Sequence, residues 1–206
     1  MFILKPTLTF FLLLLSGQTQ ANETAKSCIK LFNNSEFSLA IPVCQQAAEQ
    51  GDAASQTVLG EMYDLGQGVE SDQIIVAKWW TKASDNAYLP AQNLLALKYY
   101  YGGDVFEQQQ EWTLDYQQAF EIWKKSAFKS APTSQFMLGE MYMRGQGVEA
   151  DYAESYAWFN IALEGGYKLA TDTLIELSRV ISPDQKRAGL KRIDELKKRI
   201  INNRAK

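Results

Sequence analysis

Histidine is absent from the 206 residues, which removes the commonest general base and the commonest zinc ligand together. Any catalysis must then run on carboxylates, lysine, tyrosine or serine. Ser126-Ala-Phe-Lys129 spells S-x-x-K, in which a lysine amine activates a serine hydroxyl for acyl transfer, and Ser84-Asp85-Asn86 spells the triplet that accompanies it. The order is reversed here and the third element, K-T-G, is missing. Gly66-Gln-Gly68 and Gly145-Gln-Gly147 have the look of phosphate-cradling loops, but such loops follow a strand and open a helix, and no strand pattern precedes them. Glu61 and Glu140 occupy equivalent positions 79 residues apart, with nothing to bring them together as an acid–base pair. No catalytic set and no cofactor or metal site is expected.

The elements that carry these residues emerge when the chain is laid against itself. Leu59-Gly-Glu-Met-Tyr-Asp-Leu-Gly-Gln-Gly-Val-Glu returns as Leu138-Gly-Glu-Met-Tyr-Met-Arg-Gly-Gln-Gly-Val-Glu, identical at ten of twelve positions. A weaker copy, Ala91 to Tyr99, lies between them, so the unit is about 36 residues and the middle one carries an insertion between Gly102 and Asp115. Each unit holds two helical periods. In the second, Val76, Trp79, Trp80 and Ala83 follow i, i+3, i+4, i+7, and Ala119, Ile122, Trp123, Ser126 and Ser155, Trp158, Phe159, Ala162 share that register. Ala40, Val43, Cys44 and Ala47 continue it backward. Ser126 thus stands where Ala83 and Ala162 stand, on a buried helix face, and the four tryptophans are expected in the core. Glycine after the first helix and Asp72 or Asp151 before the second read as a left-handed cap and an N-cap.

A small residue, Gln, Leu-Gly, Tyr, Gly-x-Gly-Val, Asp and an aromatic pair, in that order, resembles the Sel-one-like repeat, a relative of the tetratricopeptide repeat. The likeness covers roughly residues 37–178; the middle unit departs from it where Gly102-Gly103 and the insertion replace the Gly-x-Gly-Val turn. It implies an all-α fold, an α-solenoid of stacked antiparallel helix pairs. The expected organisation is a degenerate first unit at 22–52, repeats at 53–88, 89–131 and 132–167, a half-repeat at 168–181, and a terminal helix from 182.

Composition bounds the setting. Hydrophobic residues make up 46% and charged residues 22%, a globular balance. Lys5, the apolar run Leu8 to Leu15 and Thr19-Gln-Ala21 read as a secretory signal covering residues 1–21, without a cysteine close behind for a lipoprotein. The periplasm is the expected compartment. Export favours joining Cys28 to Cys44, whose 16-residue separation gives a stabilisation of about 3 kcal/mol in the chain-entropy view. From Pro183 onward nine Lys/Arg face three Asp/Glu, while residues 22–182 carry eleven against twenty-one. A net charge of −3 disfavours nucleic acid, and the basic end suits a cap, an acidic partner or an anionic membrane surface. Leu190, Ile193, Leu196 and Ile200 are its expected apolar stripe.

In repeats of this kind the first helices line the concave face. At 100° per residue, Thr57, Glu61 and Asp64, then Asn93, Leu97 and Tyr100, then Phe136, Glu140 and Met143 point away from the packing side, and they are the expected contacts for another exported protein. Tyr99 to Gly103 and Trp112 flank the insertion, a second possible contact element. The resemblance implies an adaptor, a regulator or an immunity-type inhibitor; the competing implication is a β-lactam or cell-wall binder or hydrolase, as for cysteine-rich relatives that carry a Cys pair in nearly every repeat.

Overall fold

Aspartates open the second helices and glycines close the first ones. A computed structural model describes residues 6–102 and 113–204 and places ten helices there, with no strand among the described residues. Residues 103–112, most of the insertion of the middle repeat and Trp112 with it, lie outside them. The chain divides into two compact units, Met1–Ala91 and Gln92–Lys206.

The first unit contains α1 (Pro6–Asn33), α2 (Phe37–Glu49), α3 (Ala53–Leu65) and α4 (Gln73–Asp85). The side chain of Asp72 accepts from the Ile74 and Ile75 amides at 2.9 and 3.1 Å, satisfying two donors that a helix start leaves open. Gly66 ends α3 with φ +65, where a side chain would be strained. α1 pairs with α2, α3 with α4, and α2 lies against α3. The α3–α4 contact is made by the indole of Trp80 lying where a Cβ on Gly60 would sit, 2.3 Å from Nε1, and Nε1 donates to the Thr57 carbonyl at 3.0 Å. In the α1–α2 pair the cysteine at the position equivalent to Trp80, Cys44, is disulfide-bonded to Cys28, and both are fully buried. α1 therefore completes a first pair that the repeat period does not reveal.

The second unit begins within α5 (Leu89–Tyr101) and continues through α6 (Tyr116–Ala127), α7 (Pro132–Arg144), α8 (Tyr152–Glu164), α9 (Ala170–Val180) and α10 (Pro183–Arg204). Here Gly139 faces the ring of Phe159 as Gly60 faces Trp80, with 2.6 Å from an added Cβ to the ring. Burying a ring of that size stabilises by about 3 kcal/mol. Ser155, lacking an indole partner, donates its hydroxyl to the Gly139 carbonyl at 2.8 Å. α7, α9 and α10 all pack on α8, which is why seven of its residues are buried.

Two further repeat positions join one pair to the next. Gln56 Nε2 donates to the Ala48 carbonyl at 2.9 Å, and Gln135 Nε2 to the Ala127 carbonyl at 3.1 Å, each tying a first helix to the end of the helix before it. The second glycine of each turn meets the start of the preceding second helix: a Cβ at Gly68 would lie 2.8 Å from Phe37 backbone, and one at Gly147 2.3 Å from the Tyr116 carbonyl oxygen.

The terminal helix opens with a reciprocal cap, the Ser182 amide donating to Gln185 Oε1 at 2.8 Å and the Gln185 amide to Ser182 Oγ at 3.2 Å. Its stripe needs one correction. Ile193, Leu196 and Ile200 are buried, but Leu190 is 50% exposed. Gly189 takes its place, because α10 approaches so near that a Cβ there would be 2.9 Å from the Tyr156 ring and 3.0 Å from the Ala153 carbonyl. Arg192 pairs with Glu154 at 2.5 Å and Lys197 with Glu164 at 2.5 Å. Among the described residues no helix is long and apolar enough to cross a membrane.

Gly147→Ala is expected to destabilise the chain by about 3 kcal/mol or more, since both the left-handed backbone and the Tyr116 carbonyl oppose it. Gly166→Ala, with positive φ but open space around its Cβ, should cost only about 1 kcal/mol. Urea unfolding midpoints of the two variants measure the difference.

Candidate partner-binding surface

The nine residues expected to face outward do not behave alike. In the first unit Thr57 is buried at 3% exposure, correcting the expectation. Its hydroxyl folds back to the Ala53 carbonyl at 2.7 Å and its own carbonyl receives the Trp80 indole, so the neighbouring ring covers it. Asp64 is half-buried, and its carboxylate accepts from Gln73 Nε2 at 3.0 Å across the turn. Glu61 is half-buried as well, with its carboxyl raised above the usual range by burial and then by repulsion from Asp64. Among the described residues no cation is paired with it.

In the second unit Tyr100 is buried at 5%, a second correction. Its ring meets Tyr101 and Tyr116 edge-on and Trp123 at a tilt, and its hydroxyl donates to Gln146 Oε1 at 2.6 Å. That bond ties the end of α5 to the turn after α7. Asn93 is half-buried and accepts from Trp123 Nε1 at 3.1 Å. Leu97, Phe136 and Met143 are half-buried, packed on the core with part of their surface open. The Phe136 ring rests against Phe159 and Tyr167, with centroids 5.2 and 4.8 Å away. Glu140 carries the same raised carboxyl as Glu61, caused by burial, but Arg144 pairs with it at 2.6 Å and opposes the shift. Leu97, Phe136, Glu140 and Met143 are therefore the expected residues that remain available on α5 and α7. Tyr167 was not legible in advance, since it lies in a short link outside the helical periods.

The acyl-transfer reading fails on position. Ser126 is fully buried and its hydroxyl donates to the Ile122 carbonyl one turn back in α6 at 2.8 Å. The tryptophans of the shared register, Trp79, Trp80, Trp123 and Trp158, are all buried.

A carboxylate whose pKa is raised by folding lowers stability as pH climbs through that raised value, and does not do so below the ordinary carboxylate range. Glu61→Gln should accordingly raise the unfolding midpoint at neutral pH and leave it unchanged near pH 4, with solvent screening holding the gain below about 1 kcal/mol. Thermal unfolding of both proteins across that range decides it.

The Sel1 repeat matches this chain at residues 53–88, 89–127 and 132–167. An exopolysaccharide production negative regulator of Rhizobium leguminosarum bv. viciae is 26% identical over 147 residues, which are 67% of this chain and 54% of that protein. A protective antigen present in uropathogenic Escherichia coli strains, with the SLR fold, shares 36% identity at a TM-score of 0.55, over 61% of this chain and 26% of that one. A Sel1 repeat protein from Oxalobacter formigenes superposes with a TM-score of 0.65 at 24% identity, covering 73% of this chain and 59% of its own. The chain thus spans about half the length of the curated regulator and less of the antigen. With three repeats covering more than half of its residues, and the same glycine–aromatic contact in two of them, the chain belongs to the Sel1 repeat family.

Proposed function

We propose that this chain is an exported adaptor or regulator that recognises another exported protein through the first helices of its repeats. Sel1 repeat proteins are protein–protein interaction modules, and the Rhizobium relative is named as a regulator. The observation that carries the reading is the division among side chains on α5 and α7. Asn93 and Tyr100 are spent on internal hydrogen bonds, whereas Leu97, Phe136 and Met143 keep apolar surface open beside the Glu140 carboxylate. Apolar anchors with a charged border suit a helix or peptide of a partner. On α3, Glu61 is a half-buried carboxylate without a paired cation among the described residues, and a partner's lysine or arginine would relieve that cost.

Export is supported by the Lys5, apolar-run and Thr19-Gln-Ala21 pattern and by the Cys28–Cys44 bond, which belongs to oxidising compartments. Cleavage after Ala21 would leave the mature chain starting at Asn22.

A photo-crosslinking residue placed at Leu97 or Met143 should capture one protein species in the native exported fraction, and a probe at Thr81 on α4 should not. The captured chain should begin at Asn22. Equal capture from Thr81, or none from α5 and α7, overturns the reading.

A further inference from the structure

Between the C-terminal ends of α6 and α10 the second unit holds a concavity of about 400 Å³. One side is the Phe128 ring, held edge-on against Trp158 with centroids 5.4 Å apart. The Arg199 guanidinium, arriving from α10, lies over that ring 4.5 Å from its centroid. Lys124, Lys125 and Lys129 complete the wall. A single carboxylate reaches the site, Glu121, and it is already paired with Lys124 at 3.1 Å. Among the described residues Lys125, Lys129 and Arg199 form no ion pair.

Lysines in a last helical turn are ordinarily explained by the carbonyl end of the helix dipole, which accounts for Lys124 and Lys125. It does not account for Lys129, past the end of α6, or for Arg199, from a different helix. Cations that converge on one concavity repel each other unless an anion enters. The stacking of Arg199 on Phe128 matters for what can enter. The cation–π contact holds the guanidinium at the ring, and its N–H fork suits a planar oxyanion.

We propose that this cleft binds an acidic segment of a protein partner, its carboxylates meeting the Arg199 fork and the Lys125 and Lys129 ammoniums. Two observations favour a peptide over a membrane. The site is concave, and the nearest exposed apolar residue on α10, Ile201 at 64%, lies two positions from Arg199, roughly 200° around the helix. An anionic lipid surface would want that anchor on the same side. A lone inorganic anion would leave most of the concavity empty. The acidic body of the chain, twenty-one Asp/Glu against eleven Lys/Arg over residues 22–182, repels such a segment elsewhere and steers it here. The cleft uses α6 and α10 rather than α5 and α7, so it stands or falls independently of the surface proposed above.

Calorimetry of the full chain at low salt, with a blocked hexaglutamate peptide as probe, tests this. The peptide should bind, its hexaglutamine counterpart should not, and added salt should weaken the binding. Arg199→Gln should weaken it about tenfold, the loss of one charge-assisted pair. Lys125→Gln combined with Lys129→Gln, both exposed positions, should do the same without disturbing the fold, which keeps the test valid if Arg199→Gln lowers stability. Lys191→Gln, on the outer side of α10, should change it less than about twofold. No binding of hexaglutamate overturns the proposal. So does an equal loss in Lys191→Gln, or binding confined to pyrophosphate or to phosphatidylglycerol-rich vesicles.

Discussion

Two of the helix pairs are locked where a large ring on the second helix lies against a glycine on the first, which has no side chain to obstruct it. Gly60 under Trp80 and Gly139 under Phe159 are two copies of this contact, and in both an added Cβ would fall well inside the ring's van der Waals surface. The middle repeat places Ala96 and Trp123 at the same register positions, both with no exposed surface. At the amino-terminal pair, where the second helix offers Cys44 instead of an aromatic, the disulfide to Cys28 stands at the ring's position. It sits within an apolar contact of its own, with Ala40 and Ala48 buried and Ile29, Phe32, Phe37 and Ile41 packed against the cluster. The bond adds a restriction of the unfolded chain to that contact.

Stacking of one pair on the next follows from polar groups that a helix end leaves open. The last carbonyls of α2 and α6 have no partner within their own helices, and Gln56 and Gln135 supply donors from the following first helix. These amides are almost wholly buried, so truncating one would remove a buried bond between pairs and leave the carbonyl only the backbone amide just past its own helix, Gly51 or Ser130. The turn glycines do the complementary work, letting the link between helices run against the backbone at Phe37 and at Tyr116. A sequence constrained in this way repeats Gln and Gly-x-Gly because each residue touches the neighbouring pair and not only its own.

That explains which parts of the fold were legible in the sequence and which were not. Periodicity, caps and the shared register of the tryptophans are local or repeated, and they read correctly down to the N-caps of Asp72 and Asp151. The helix α1 has no repeat signature to betray it, since Ile29, Leu31 and Phe32 pack beside Cys28 without the motif that the later first helices share. Angular arithmetic failed where a side chain is long or a neighbour is large. Tyr100 projects outward by its Cα direction, yet its ring reaches back to the core and its hydroxyl to Gln146. Thr57 is roofed by the ring of Trp80, and Leu190 gave way to Gly189 because the approach of two helices, not the period, chose the contact line. The cleft around Phe128 had no sequence signal, as Arg199 lies seventy residues downstream of the lysines it joins.

The two glutamates at one repeat position show how such a scaffold lets a charge's surroundings vary while its packing stays fixed. Glu140 and Glu61 share their register, their half-burial and the direction of their shifted carboxyls. Four residues on, one copy has Arg144, which pairs with its glutamate, and the other has Leu65, 65% exposed and unable to do so. The packing of α3 asks nothing of Glu61 that glutamine would not supply, because the contacts that fix the helix run through Gly60, Thr57 and Gln56 on other faces. A charge held partly out of water beside Asp64 therefore costs stability without serving the fold. What burial costs Glu140 is offset by Arg144, and at Glu61 the packing offers no such cation among the described residues.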